Sequence, residues 1–278
     1  MTEHHRMLLM GYSKVGKTSM KSIIFSNYEP EDVNRLGSTQ TAEVSHIRLL
    51  KNVRLDLYDC TGDLDYWKKF VASDSCDAFF SNVNILVFVF DASNQDNLRY
   101  HQHFKEIMDA VICYSSNLRI YCFLNKIDMI DVKKRPTVIK SWTDNSIGPY
   151  KKKHVEVHSF ATSVFNESLY SAWTSIFQAN FVSKKITSEL SNYTNKVYVF
   201  DRVTLLALYG HYNANIHSLV KNFRKNSLQT RDNVPQISDA CIIDVFTDYT
   251  YIMIIVPKVN DTLMQSIEQL KNVCSRLC

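Results

Sequence analysis

Residues 11–18 read Gly-Tyr-Ser-Lys-Val-Gly-Lys-Thr, the pattern GxxxxGK[ST], placed between a short apolar run, Met7–Met10, and a helical stretch, Lys17–Phe25. No other segment restricts the fold as tightly. A strand, a glycine-bounded loop and a helix N-terminus in immediate succession make a cradle whose backbone amides curl around phosphate oxygens. Glycine is scarce elsewhere: the chain has six in 278 residues, about 2% against a usual level of roughly 7%. Such a chain keeps glycine mainly where backbone geometry demands it, and Gly11 and Gly16 bound this loop. Ser13, Lys14, Val15 and Ser19 complete the predicted nucleotide contacts. Lys17 is expected to reach the β- and γ-phosphate oxygens and act on them as a catalytic cation, and the Thr18 hydroxyl to ligate Mg²⁺.

The rest of the first half follows an alternating pattern. Val44–Leu50 and Val53–Tyr58 alternate apolar and polar residues at period two, with Lys51-Asn52 as the turn between them. Ile85–Phe90 and Ile120–Leu124 are continuous apolar runs, as expected of strands covered on both faces. Asn97–Tyr114 carries a helical pattern, Val155–Phe160 reads as a strand, and Glu167–Phe181 as an amphipathic helix. Strands alternating with helices predict a doubly wound, mostly parallel α/β sheet filling residues 1–182. Residues 183–278 differ. A polar helical link, Ser183–Lys196, precedes strands at Val197–Phe200 and Thr204–Tyr209 and a helix at Ile216–Leu228. A hairpin, Ala240–Phe246 and Tyr249–Val256 across Thr247-Asp248, comes next, and a helix at Asp261–Leu277 closes this smaller α+β domain.

Three further motifs fall on strand ends. Asp59-Cys60-Thr61-Gly62 closes the strand Val53–Tyr58; Asp59 would hold magnesium through water, and the Gly62 amide would approach the γ-phosphate. Asn125-Lys126-Ile127-Asp128 follows Ile120–Leu124. The Asp128 carboxylate can accept from guanine N1–H and the 2-amino group, two donors that adenine lacks, so adenine leaves it unpaired. Asn125 is expected to tie this loop to the phosphate loop or the base, and the Lys126 stem to lie along the ring. Thr162-Ser163-Val164, after the strand Val155–Phe160, would offer backbone amides to guanine O6, with Ser163 and Val164 as contacts. This ordered set points to GTP or GDP with Mg²⁺ and excludes the related ATP-binding reading.

Composition excludes other classes. Hydrophobic residues make up 45% and charged residues 22% of the chain, which argues against disorder. A net charge of +4 is too small to imply nucleic acid. No segment approaches the roughly 18 apolar residues of a membrane span, so no direct membrane insertion is expected. Seven scattered cysteines with no CxxC pair suggest reduced thiols in the cytoplasm. There is no prenylation box, and position 2 holds Thr2 rather than the glycine that myristoylation needs, so membrane association would come through a partner. His4-His5 reads as a solvated terminus, and Lys133–Arg135 and Lys151–Lys153 as solvated loops, with an anionic-lipid or partner site as the alternative for the basic runs.

The stretches MLLMGYSKVGKTSMKSIIFSNY, RLGSTQTAEVSHIRLL, LYDCTGD and ESLYSAWTSI resemble the Rag/Gtr GTPases, on the RagA/Gtr-one side of that heterodimer. In the second half, VYVFDRVTLLALYGHY and ACIIDVFTDYTYIMIIV resemble the family's roadblock-type dimerisation domain. The resemblance implies a Ras-like G domain and a nucleotide switch that pairs through residues 183–278 with a RagC/D-like subunit. It also implies peripheral recruitment to the lysosomal or vacuolar surface by a lipidated scaffold, and relay of amino-acid sufficiency to the target-of-rapamycin kinase complex. It assigns Thr39 as the threonine that closes over Mg²⁺ and the γ-phosphate. The chain departs from the family at Asp63, where members usually carry the glutamine that orients attacking water. Aspartate is shorter, offers no amide donor, and would set a negative charge against the γ-phosphate. Two outcomes stay open: slow intrinsic hydrolysis that depends on an activating partner, or a GTP-locked scaffold. A Ras- or Arf-like GTPase with an unrelated appendage is a third reading. Apolar residues on consecutive positions in Ala240–Val256 are either core or the heterodimer interface.

Overall fold

The first strand of the computed structural model, β1, runs Glu3–Gly11 and so begins before the apolar run that marks it in sequence. The structure describes residues 3–35, 42–49, 53–94, 97–115, 117–151, 155–182, 187–188, 191, 196–230, 235–237 and 241–255. His4 is a strand residue whose side chain is solvated as expected, with its Nε2 2.8 Å from Asp56 Oδ2. Two compact units emerge, one from Thr2–Ile47 with Arg54–Leu169 and the other chiefly from Tyr170 onward with Arg48–Val53.

In the first unit, β1 leads into α1 (Lys17–Ser26), then β2 (Glu43–Leu49) and β3 (Val53–Asp59). Two short helices follow, α2 (Leu64–Val71) and α3 (Ser75–Phe80). After β4 (Ile85–Asp91), α4 (Leu98–Tyr114) and β5 (Arg119–Asn125), helix α5 (Arg135–Trp142) continues through a π-helical turn, Thr143–Ile147, into α6 (Gly148–Lys151). Pro149 explains that turn, since a proline has no N–H to continue the helical ladder; Gly148 N–H instead reaches back five residues to the Thr143 carbonyl. Strand β6 (Val157–Ala161) completes the run, and helix α7 (Ser168–Phe181) starts at its end and belongs from Tyr170 to the other unit.

The six strands form one sheet in the order β2-β3-β1-β4-β5-β6, and β1, β4, β5 and β6 are parallel. All seven β4 residues are buried, which is what an uninterrupted apolar run predicts for a central strand. Leu8, Met10, Phe88, Phe90, Phe104 and Trp142 belong to one continuous core on this sheet. The register matters for function. Gly11 pairs with Val89, and Asp91 with Asn125, so the carboxyl ends of β1, β4 and β5 finish along one edge, where open α/β sheets bind ligands.

The second unit holds a separate antiparallel sheet of β7 (Lys196–Asp201), β8 (Ala207–Tyr209), β9 (Gln236–Ile237), β10 (Cys241–Thr247) and β11 (Thr250–Ile255), in the order β8-β7-β11-β10-β9. Helix α8 (Ala214–Thr230) packs Ile216, Val220 and Phe223 against Phe200, Ile243, Tyr251 and Met253. Strand β8 starts later than its apolar pattern suggests. The buried Asp201 carboxylate accepts from Val203 N, Thr204 N and Thr204 Oγ1, so the chain turns at 202–204 before a strand can form. The helices expected at Asp261–Leu277 and across most of Ser183–Lys196 lie outside the described residues. No helix among the described residues is long and apolar enough to cross a membrane.

Candidate functional site

The site grows from the carboxyl end of β1. The loop after Gly11 has Lys14 and Gly16 in left-handed conformations, with φ of 63° and 100°. Gly16 is required there on two counts: its φ is poorly tolerated by other residues, and a Cβ would meet Asn125 Nδ2 at 2.5 Å. The turn feeds directly into α1, whose first turn carries no acidic residue, so its amide dipoles remain available to an anion.

Lys17 is buried, and its Nζ donates to the Gly11 and Tyr12 carbonyls at 2.9 and 2.8 Å. Burial pushes its pKa down to about 8, opposed by the nearby Asp59 carboxylate. An ammonium deprived of water and held by two neutral carbonyls is poised to take an anionic partner. Thr18 Oγ1 donates to Asp59 Oδ2 at 2.9 Å across 41 residues of sequence. Asp59 is fully buried, and its Oδ1 makes no hydrogen bond among the described residues. A hydroxyl beside a buried carboxylate with an unanswered oxygen is an all-oxygen donor set, which suits a hard cation such as Mg²⁺. Thr39, the third metal residue read from the sequence, lies outside the described residues.

Gly62 brings the Asp59–Gly62 segment against the phosphate loop. A Cβ at Gly62 would overlap the backbone of Ser13 and Tyr12, so only glycine permits this approach. Asp63 is directed elsewhere. It caps α2, its Oδ1 accepting from Asp65 N at 2.9 Å and Tyr66 N at 3.3 Å.

At the other end, Asn125 joins three loops. Its Nδ2 donates to the Val15 carbonyl at 2.8 Å, and its Oδ1 accepts from Thr162 Oγ1 at 3.2 Å. Ile127 N in turn donates to the Thr162 carbonyl at 3.1 Å. Lys126, in a left-handed conformation, donates from Nζ to Asp91 Oδ2 at 2.7 Å. Asp128 sits exposed in the turn Ile127–Met129. Of the amides expected to face O6, that of Thr162 bonds the Leu124 carbonyl and that of Ser163 bonds Ser168 Oγ at 2.9 Å. Val164 N is the amide of the three that stays unengaged by these contacts.

Two partners in this arrangement escape a motif reading. Asp91 ends an apolar strand and fixes Lys126, and its only sequence signal is its position after Ile85–Phe90. Lys21, one helical turn past Lys17, lies 3.4 Å from Asp59 Oδ2 and 3.1 Å from Glu43 Oε2.

Residues 6–227 match the family model described as the Gtr1/RagA G protein conserved region. The chain is 30% identical to Ras-related GTP-binding protein A of Dictyostelium discoideum, over 96% of this chain and 94% of that protein. It is 28% identical to GTP-binding protein gtr1 of Schizosaccharomyces pombe, over 97% of this chain and 93% of the relative. A more distant similarity, 25% identity over 70% of this chain and 63% of the relative, reaches GTP-binding protein gtr2 of the same yeast.

Proposed function

The chain belongs to the Gtr1/RagA family of G proteins, and from that membership and the site geometry we propose that it is a guanine-nucleotide switch that binds GTP and hydrolyses it slowly. The observation that carries the reading is Asn125, which gathers the phosphate loop, the Asn125–Asp128 loop and the Thr162 loop into one site. Phosphates lie at the α1 N-terminus against the amides of residues 13–18, with Lys17 exchanging its two carbonyl partners for phosphate oxygens. Guanine is read by the Asp128 carboxylate and the Val164 amide, with Lys126 braced by Asp91 along the ring. Thr18 and Thr39, with Asp59 acting through water, would hold magnesium, which would supply positive charge against the phosphates. Gly62 approaches the γ-phosphate.

Residues 183–278 serve as the roadblock-like dimerisation domain for a RagC/D-like subunit, a reading supported by the similarity to gtr2-type relatives. The heterodimer is cytoplasmic, held at the lysosomal or vacuolar surface by a lipidated scaffold, and signals amino-acid sufficiency to the target-of-rapamycin complex. Asp63 supports a second reading, a GTP-loaded scaffold without turnover, because its Oδ1 is committed to the α2 amides and the side chain has no amide donor to orient a water. Fluorescent GTP binding followed by a single-turnover hydrolysis assay separates the two. Saturable binding with measurable phosphate release supports the switch, binding without release supports the scaffold, and no binding overturns both.

A further inference from the structure

A second polar cleft, of about 470 Å³, opens at the amino ends of the central strands. Its walls carry His4 and Arg6 of β1, Asp56 of β3, Asn82 and Asn84 before β4, and Asn117 before β5. Gly11 and the phosphate loop lie at the opposite end of β1. Gly11 lies five steps along the strand from Arg6, which at roughly 3.3 Å per strand residue is about 16 Å. The cleft is therefore a separate place from the nucleotide site.

Its charge is unbalanced in one direction. Asp56 is saturated: His4 Nε2 lies 2.8 Å from Oδ2, His46 Nδ1 lies 2.6 Å from Oδ1, and Arg54 Nε is 3.4 Å from Oδ1. No carboxylate pairs with Arg6 among the described residues, and its buried Nε makes no hydrogen bond there. The guanidinium is nonetheless fixed in place. Its Cζ lies 4.4 Å from the Tyr58 ring centroid and 4.9 Å from that of Phe79, and those two rings meet edge to face. Aromatic contacts hold a guanidinium without consuming its N–H donors. Asn84 accepts the Arg6 backbone N–H through Oδ1 at 2.8 Å, which leaves its amide NH₂ as a donor.

We propose that this cleft binds a small metabolite through an oxyanion head, with Arg6 as the anchoring cation and the Asn82, Asn84 and Asn117 amides meeting a neutral polar body. A fixed, unpaired guanidinium beside neutral amide donors is the chemistry that recognises a carboxylate or phosphate. The cleft has room for more than a bare ion. One water occupies about 30 Å³, so a cleft of about 470 Å³ holds a metabolite of the size that ligand pockets usually take. The proposal goes beyond nucleotide switching and does not depend on it.

The test titrates the full chain, loaded with GDP and magnesium, with inorganic phosphate in one arm and acetate in the other, following the Asn84 side-chain amide resonances by NMR. Saturable shifts are expected, and the arm with the tighter isotherm identifies the head group. Arg6→Gln should weaken binding by about tenfold or more, as should Asn117→Asp, which adds a repelling charge at an exposed position without touching the core. Lys17→Met, titrated without nucleotide, should leave anion binding intact even where GTP binding is lost. Anion binding that vanishes in Lys17→Met but survives Arg6→Gln and Asn117→Asp places the ion in the phosphate loop and overturns the proposal. So does the absence of any saturable shift in the folded protein.

Discussion

Asp63 shows how a single side chain can be claimed by two demands. The position next to Gly62 calls for an amide that orients water, while the position before Leu64 calls for a side chain that caps a helix. Aspartate meets the second demand, its Oδ1 accepting from two amides at the start of α2. Asp63→Gln should therefore do two opposite things. It should raise the single-turnover hydrolysis rate, because a longer side chain with an amide donor replaces a carboxylate turned toward α2, and it should cost about 1 kcal/mol of stability through the weaker cap. An unchanged or lower rate would show that the missing amide donor does not limit turnover. Asp128 is a simpler case, being exposed and free to change without disturbing the core. Asp128→Asn replaces two accepting oxygens with one acceptor and one donor. GTP affinity should fall by about tenfold to a hundredfold, as expected for losing a charge-assisted hydrogen bond. Affinity for xanthosine triphosphate, whose C2 carbonyl accepts from that new donor, should rise. Equilibrium titration of both nucleotides checks the pair of effects.

Helix α2 joins the Asp59–Gly62 motif to the core, and its anchor is Trp67. The indole Nε1 donates to the Thr61 carbonyl at 2.8 Å, and the ring sits among Tyr66, Phe70, Phe79 and Phe80. Trp67→Phe keeps most of the apolar contact but leaves that carbonyl unanswered, at a cost of about 2 kcal/mol. Chemical denaturation should show the loss, and hydrogen exchange should quicken over residues 61–71. A variant as stable as the parent would mean that the indole bond anchors nothing. This helix was hidden in the sequence. A 3.6-residue period needs a window of about 11 residues to stand out, whereas α2 has eight and α3 six, broken at Ser73-Asp74. The long parallel strands were legible because their apolar runs are continuous. The phosphate loop was legible because its spacing is local. The motif also predicted that Asn125 would tie its loop to the phosphate loop, which it does at Val15 across 110 residues, but the Lys126–Asp91 pair and the His4–Asp56 contact across 52 residues were not legible. No local pattern encodes the partner of such a side chain. Polar His4 and His5 therefore masked the start of β1, just as the turn held by Asp201 shortened β8.

For the chain as a whole, the core beneath the parallel sheet packs against a histidine that acts on its stability. His103 of α4 is buried beside Phe88, with its ring 5.8 Å from that ring, and neither imidazole nitrogen has a hydrogen-bond partner among the described residues. Burial, reinforced by the positive charges of Lys17 and Lys68, pushes its pKa down from 6.5 to about 4. The native state thus keeps His103 neutral where the unfolded chain already protonates it. Above pH 6.5 both states are neutral at this residue and it adds no pH dependence. Between pH 6.5 and about 4 the unfolded state binds more protons, so stability falls as the solution is acidified. By pH 5 the loss from this one group reaches about 2 kcal/mol, at 1.36 kcal/mol per unit of pKa difference. Carboxylates also titrate in this range, so the informative quantity is a difference between proteins. Urea unfolding at pH 7.5 and pH 5 should show the parent losing about 2 kcal/mol more than His103→Leu, which has no proton to gain. Equal losses would mean that the imidazole finds water or a partner in the folded state, and that the core around Phe88 and Phe104 opens more readily than its packing implies.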